Sequence, residues 1–172
     1  VGSTSLLTGN QDDAATTVNA LGFNFGFMGG AYSHFSANSN GQVLLHTSGA
    51  SAAISGSSVS GPAASTPYLF VMAGDNEVND GMRYKVIGTA PNRTFVLEWT
   101  QFYAQWTNIT NAGNMQLWLH EGSGVIEYVY GEIYNSSSSS VTRSIGLSSS
   151  NTATTAGYVT VSAAPTFTPA AT

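Results

Sequence analysis

The chain has 172 residues, with four Lys or Arg against nine Asp or Glu, a formal charge of −5 and only 8% charged residues, where an average soluble domain carries roughly 25%. Basic clusters for a phosphate backbone are missing, which argues against nucleic acid as a partner. The lack of cysteine excludes a disulfide framework and thiolate chemistry, and no apolar run reaches the about 18 residues of a membrane span. The length suits a single domain over 1–172 that buries roughly 70% of its unfolded surface, and a surface made polar by Ser, Thr, Asn and Gly suits an extracellular or cell-surface protein.

The first 20 residues are polar and turn-rich and predict one edge strand near 15–20. Phe23, Phe25 and Phe27 then alternate with Asn24 and Gly26, a period of two that puts three rings on one face of a strand. Gly29-Gly30 turns the chain into a strand over Tyr32–Ala37. Asn40-Gly41 predicts a type I′ turn into Gln42–His46. Residues 47–66 are low in complexity, with only Ile54 and Val59 to bury, and read as a surface excursion or weak edge strands.

The run Tyr68–Ala73, YLFVMA, is short and continuously apolar, as a strand buried on both faces would be. An acidic loop over 74–81 leads to a strand at Met82–Gly88, and Pro91-Asn92 turns into the central runs TFVLEWTQFYAQW and NMQLWLHEGSGVIEYVYG. In Met115–Leu119 and Val125–Tyr130 apolar and aromatic residues crowd both faces, and Glu121–Gly124 supplies a hairpin turn. Strands at Ser140–Leu147 and Tyr158–Ser162 follow, and Pro165 and Pro169 mark 163–172 as a tail. The prediction is an all-β, antiparallel two-sheet β-sandwich.

Two stretches carry a family resemblance. LGFNFGFMGGAYSHFSANSNGQVLL has the Phe-x-Phe strand, the Gly-x-x-Tyr turn and the Ser-Asn-Gly turn, and MRYKVIGTAPNRTFVLEWTQFY with NMQLWLHEGSGVIEYVYG has Gly-Thr-Ala-Pro-Asn-Arg, a strand ending Glu-Trp and a Glu-turn-Ile-Glu hairpin. Together, over about 21–131, they resemble β-sandwich modules of secreted proteins from Bacteroidetes-type bacteria. The resemblance implies a jelly-roll-like sandwich within a larger exported, often adhesive protein, commonly without a known activity. Such modules often place a Pro-Phe/Trp-Asp-Asp run after their central strand, whereas here Tyr68–Ala73 leads into GDNEVNDG. No ligand-binding residue carries over.

The candidate chemistry is sparse. Asp75, Glu77 and Asp80 in the acidic loop could supply oxygens to calcium, against the plainer reading of an exposed polar turn; no other cofactor is implied. For glycoside hydrolysis the acids would be drawn from Glu98, Glu121, Glu127 and Glu132, with Trp99, Trp106 and Trp118 to stack sugar rings, but Glu98 has no closely spaced acidic partner along its strand, and pairing of Glu98 and Glu127 with Arg83, Lys85 or Arg93 is the simpler expectation. His34, His46 and His120 form no metal-binding pattern, and G-x-S-x-G is absent. The chain therefore reads as no enzyme.

Phe102, Tyr103 and Trp106 offer rings for a sugar or for another protein. If Trp99 points inward, strict alternation sets Phe102 and Tyr103 on opposite faces, so one ring is outward or the strand is interrupted. Thr166, Phe167 and Thr168 lie in a segment able to exchange with another copy by strand addition. Asn92, Asn108 and Asn135 match the N-glycosylation acceptor, a pattern that arises by chance in so hydroxyl-rich a chain. These features predict a non-catalytic, exported structural or adhesive surface module, possible as a self-assembling filament subunit, with a carbohydrate-binding module as the alternative and a glycosidase third. Its partners would be other copies, a surface protein or polysaccharide.

Overall fold

The computed structural model describes residues 2–59, 67–106, 112–133, 140–148, 158–160 and 166–167. Among these residues fifteen strands follow in chain order: β1 Thr4–Leu7, β2 Gln11–Asp12, β3 Asn19–Phe27, β4 Gly30–Ala37, β5 Gln42–His46, β6 Tyr68–Ala73, β7 Glu77–Val78, β8 Met82–Ile87, β9 Thr94–Tyr103, β10 Gly113–His120, β11 Ile126–Tyr130, β12 Val141–Thr142, β13 Ser144–Ser148, β14 Tyr158–Thr160 and β15 Thr166–Phe167. One sheet is ordered β1-β8-β9-β10-β11, with the short β2 and β7 attached through β9. The other is ordered β14-β13-β6-β5-β4-β3, and β12 pairs with β15 apart from both. All pairings are antiparallel. The fold is the predicted two-sheet β-sandwich, with β3–β6 and β8–β11 running as consecutive meanders, one in each sheet.

The alternation of β3 puts Leu21, Phe23, Phe25 and Phe27 into the core. They meet Phe35 of β4 and Phe95, Leu97 and Trp99 of β9. Phe35 stands edge-to-face against Phe95 at 4.7 Å between centroids and against Tyr84 at 5.4 Å, geometry that adds about 0.5–1.5 kcal/mol per pair beyond area burial. Arg93 ties the two sheets at one side. Its Nε and Nη2 donate to Glu121, its Nη1 donates to Gly22 O at 2.8 Å, and its guanidinium lies 5.4 Å from the Phe23 ring centroid.

Several sequence expectations change in detail. The edge strand predicted near 15–20 is only the beginning of β3, and β1 and β2 precede it. Residues 140–147 are two strands, interrupted at Arg143. The Asn40-Gly41 turn is not type I′, because only Gly41, at φ 79°, is left-handed. Residues 39–41 form a three-residue hairpin loop closed by Gly41 N–H to Asn38 O, the connection in which a left-handed glycine ends the turn.

That loop is unusual in its burial. Ser36, Asn38, Ser39, Asn40 and Gln42 are all fully buried, a placement such residues take only when hydrogen-bonded. Asn38 Nδ2 donates to the carbonyls of Ser55, Gly56 and Ser58, and Asn38 O accepts from Trp99 Nε1 at 2.8 Å. Asn40 Nδ2 donates to Gly56 O, while Asn40 Oδ1 accepts from Asn76 N. The stretch 47–59 thus lies over this loop without forming strands, with Ile54 buried, whereas Val59, expected to be buried with it, is exposed.

Candidate functional site

The outward side of the β8–β11 meander carries polar and aromatic groups in register, exposed or half-buried. Met115, Leu117 and Leu119 of β10 point into the core, so Gln116, Trp118 and His120 point out. Pairing aligns Arg83, Glu98, Gln116 and Val129 in one row across four strands, and Lys85, Val96, Trp118 and Glu127 in the next. Adjacent strands lie about 4.8 Å apart, so these rows form a rigid platform whose spacing is set by the sheet.

Hydrogen bonds lock the first row. Arg83 Nε donates to Glu98 Oε2 at 2.7 Å, Gln116 Nε2 to Glu98 Oε1 at 2.9 Å and Trp118 Nε1 to Gln116 Oε1 at 2.7 Å. The indole orientation is therefore fixed through two neighbours. Beside it, His120 Nε2 lies 2.8 Å from Glu127 Oε1 and its Nδ1 3.1 Å from Thr94 Oγ1. A hollow of about 340 Å3 is lined by Ser3, Arg83, Lys85, Val96, Glu98 and Gln116, at the small end of the ~300–1,000 Å3 range for small-molecule sites. Val96, on the outer face yet only 6% exposed, forms its floor.

The structure separates the three rings expected to form a platform. Phe102 is 0% and Tyr103 4% exposed, and only Trp106, at 48%, faces solvent. Of the two outcomes that alternation allowed, the strand is interrupted: β9 is bulged, running one residue longer between Trp99 and Phe102 than β10 between Met115 and Gly113, and Gln101 takes a φ of 53°. The extra residue returns Phe102 to the core side. Trp118, one of the three indoles offered for stacking sugars, was not singled out as an outward ring because the apolar residues of NMQLWLH suggested crowding on both faces, although its period of two already separates Met115, Leu117 and Leu119 from Gln116, Trp118 and His120. Of the pairings expected for the acids, Glu98 with Arg83 holds, whereas Glu127 meets His120 rather than Arg83, Lys85 or Arg93, and Arg93 pairs with Glu121 instead. The Arg93 guanidinium holds the Glu121 carboxyl below the usual range.

Asp75, Glu77 and Asp80 do not come together. Glu77 is buried and accepts from Asn10 Nδ2, and burial raises its carboxyl pKa. Among the described residues the group of carboxylates that do converge is Asp12, Asp13 and Asp75, with one oxygen of each within 4.8 Å of the others. All three are exposed, and partial burial together with Asp13 and Asp75 raises the pKa of Asp12. The histidines do not converge either. His34 and His46 face one another across β4 and β5, while His120 is in the other sheet. His46 Nε2 lies 2.8 Å from Ser36 Oγ, and burial with the nearby His34 lowers its pKa.

In the tail, Thr166 and Phe167 pair with Thr142 and Val141 of the same chain. Thr168, Asn108 and Asn135 lie outside the described residues, and Asn92 is exposed in the turn before β9.

Fold and surface define an all-β sandwich module with no helix among the described residues long and apolar enough to cross a membrane. The chain belongs to the NIDO-related family, whose model matches residues 1–172. That membership marks it broadly as an extracellular-type module. No curated protein and no solved structure matches the chain.

Proposed function

We propose that this chain is a non-catalytic adhesive module of an exported surface protein, of the bacterial type its sequence resembles, and that it holds polysaccharide on the outer face of β8–β11. The observation that carries this reading is the chain of hydrogen bonds from Arg83 through Glu98 and Gln116 to Trp118. An indole fixed by neighbours presents its apolar surface without losing rotamer freedom on binding, and polar groups at its rim can meet sugar hydroxyls. The non-catalytic part is supported by Glu98, Glu121 and Glu127, each held by a cation or imidazole rather than poised as an acid and base pair. Trp118→Ala should reduce retention in polysaccharide affinity gels at least about tenfold while the thermal midpoint stays near that of the parent. Unchanged retention by a polysaccharide that binds the parent would remove the face from consideration.

A second reading, self-assembly, is favoured by one observation: among the described residues β15 pairs only with β12, outside both sheets. A pairing of two residues on a tail can form equally well between copies, the usual basis of strand exchange. Deleting residues 163–172 should then abolish oligomers seen by light scattering coupled to sizing. Oligomers that persist after the deletion would end this reading.

A further inference from the structure

We infer that the hollow over Val96 takes the carboxylate-bearing units of an acidic polysaccharide, with Lys85 as the ion-pairing group and Trp118 as the adjoining ring; this deepens, and rests on, the glycan-binding reading. The argument begins with the cations. The chain has three arginines and one lysine. Arg93 is engaged by Glu121, and Arg143 is buried and donates to neighbouring oxygens. Arg83 gives its Nε to Glu98, which leaves its Nη groups to face the solvent from a side chain that is 46% exposed. The exposed Lys85 ammonium makes no ion pair or hydrogen bond among the described residues, in a chain with nine acidic residues and a net charge of −5.

The acceptors of Glu98 and Gln116 in the hollow are engaged, and Glu127, in the Trp118 row, has one oxygen against His120. Each carboxylate oxygen of Glu98 accepts a hydrogen bond, and Gln116 donates to Glu98 while accepting from Trp118. Beside the neutral Ser3 hydroxyl, what the hollow has left to offer is donors carrying positive charge: the Lys85 ammonium and the Arg83 Nη groups. A ligand that completes these must bring acceptors and negative charge. A neutral glycan would satisfy the indole and leave the cations as they are. The ring matters as much as the charge. Lys85 and Trp118 occupy one cross-strand row, with Val96 between them, so an apolar ring face and a cation stand two strand spacings apart, about 10 Å. Sugar rings with a carboxylate substituent match that pairing of features, whereas a polycarboxylate without rings would use only the cations.

Affinity electrophoresis separates these cases with three polymers: polygalacturonate, the uncharged galactan and polyglutamate. The expected result is retention by polygalacturonate that weakens with salt, exceeds retention by galactan and by polyglutamate, and falls about fivefold in Lys85→Gln. Lys85 is exposed and unbonded, so the variant should fold as the parent does, and Trp118→Ala should lose polygalacturonate and galactan alike. Equal retention on polygalacturonate and galactan, unaffected by Lys85→Gln, would overturn the acidic preference and leave glycan binding standing. Equal retention on polyglutamate would overturn the need for a sugar ring. Failure of both polysaccharides to retain the parent would overturn both proposals.

Discussion

Gly41→Ala should destabilise the protein by about 3–5 kcal/mol or prevent folding altogether. Gly41 has a φ of 79°, where an L side chain costs about 1–2 kcal/mol from local sterics alone. The larger penalty is spatial. A β-carbon at Gly41 would stand 2.4 Å from Met72 O and 3.3 Å from Met115 Cε. The first is backbone of β6, which cannot swing aside as a flexible side chain would, and Gly41 O accepts from Val71 N on the same strand. Relief of the clash would displace the 38–42 loop and expose polar groups that are satisfied only in its present position, so the cost belongs to the upper end for single substitutions. The urea midpoint, compared with that of Gly26→Ala, where a β-carbon would meet nothing within 4 Å, gives the measurement. A Gly41→Ala variant within about 1 kcal/mol of the parent would show that the loop can move and that its packing against β6 is not required.

Arg143→Met should cost about 3 kcal/mol and loosen the β13 edge before the rest of the sandwich. Arg143 is 6% exposed and sits at the break between β12 and β13. Its Nε donates to Asn76 Oδ1, its Nη2 to Asp75 O at 2.8 Å and to the Ala104 carbonyl, and its Nη1 to Thr142 O at 3.0 Å. Burial lowers its pKa while the Asp75 charge acts in the opposite sense. Removal of the guanidinium would leave oxygens on three separate segments without donors, each at a cost of about 1–3 kcal/mol if water does not reach it. Gly74 is part of the same arrangement, since a β-carbon there would lie 2.3 Å from Arg143 Cδ. Arg143→Lys should rescue little, because an ammonium carries charge but not a planar fork able to serve several acceptors at once. Hydrogen exchange of the amides of Ser144–Ser148, together with the urea midpoint, reads both effects. Wild-type protection in Arg143→Met would show that the β13 pairing to β6 is independent of this clasp.

The polar cluster also explains how a chain with 8% charged residues specifies one pairing of its sheets. Asn38 receives Trp99 from the opposite sheet, Asn40 and Asn76 connect the β4–β5 loop to the residues before β7, and Arg143 bonds to Asn76. Apolar contacts between two strand faces tolerate a slip; directional bonds between buried amides do not. The outer face of β8–β11 inherits its geometry from that register.

The strands β3–β6 and β8–β11 and the all-β, antiparallel class were legible in the residues themselves. Side chains on a strand alternate with a period of two, and Gly, Pro and Asn punctuate the chain where it reverses, so Phe23, Phe25 and Phe27 on one face and the continuous YLFVMA run of β6 needed no knowledge of their partners. Tertiary structure alone decided which aromatic residues face out, which carboxylates meet and which polar residues are buried. A single bulged residue, Gln101, carried Phe102 back into the core. The meeting of Asp75 with Asp12 and Asp13, the burial of Asn38 and Asn40, and the capture of Asn76 by Arg143 join positions distant along the chain. Alternation is a local property of each backbone segment; convergence depends on the pairing of all of them, and one inserted residue reverses a face without leaving a periodic trace in the sequence.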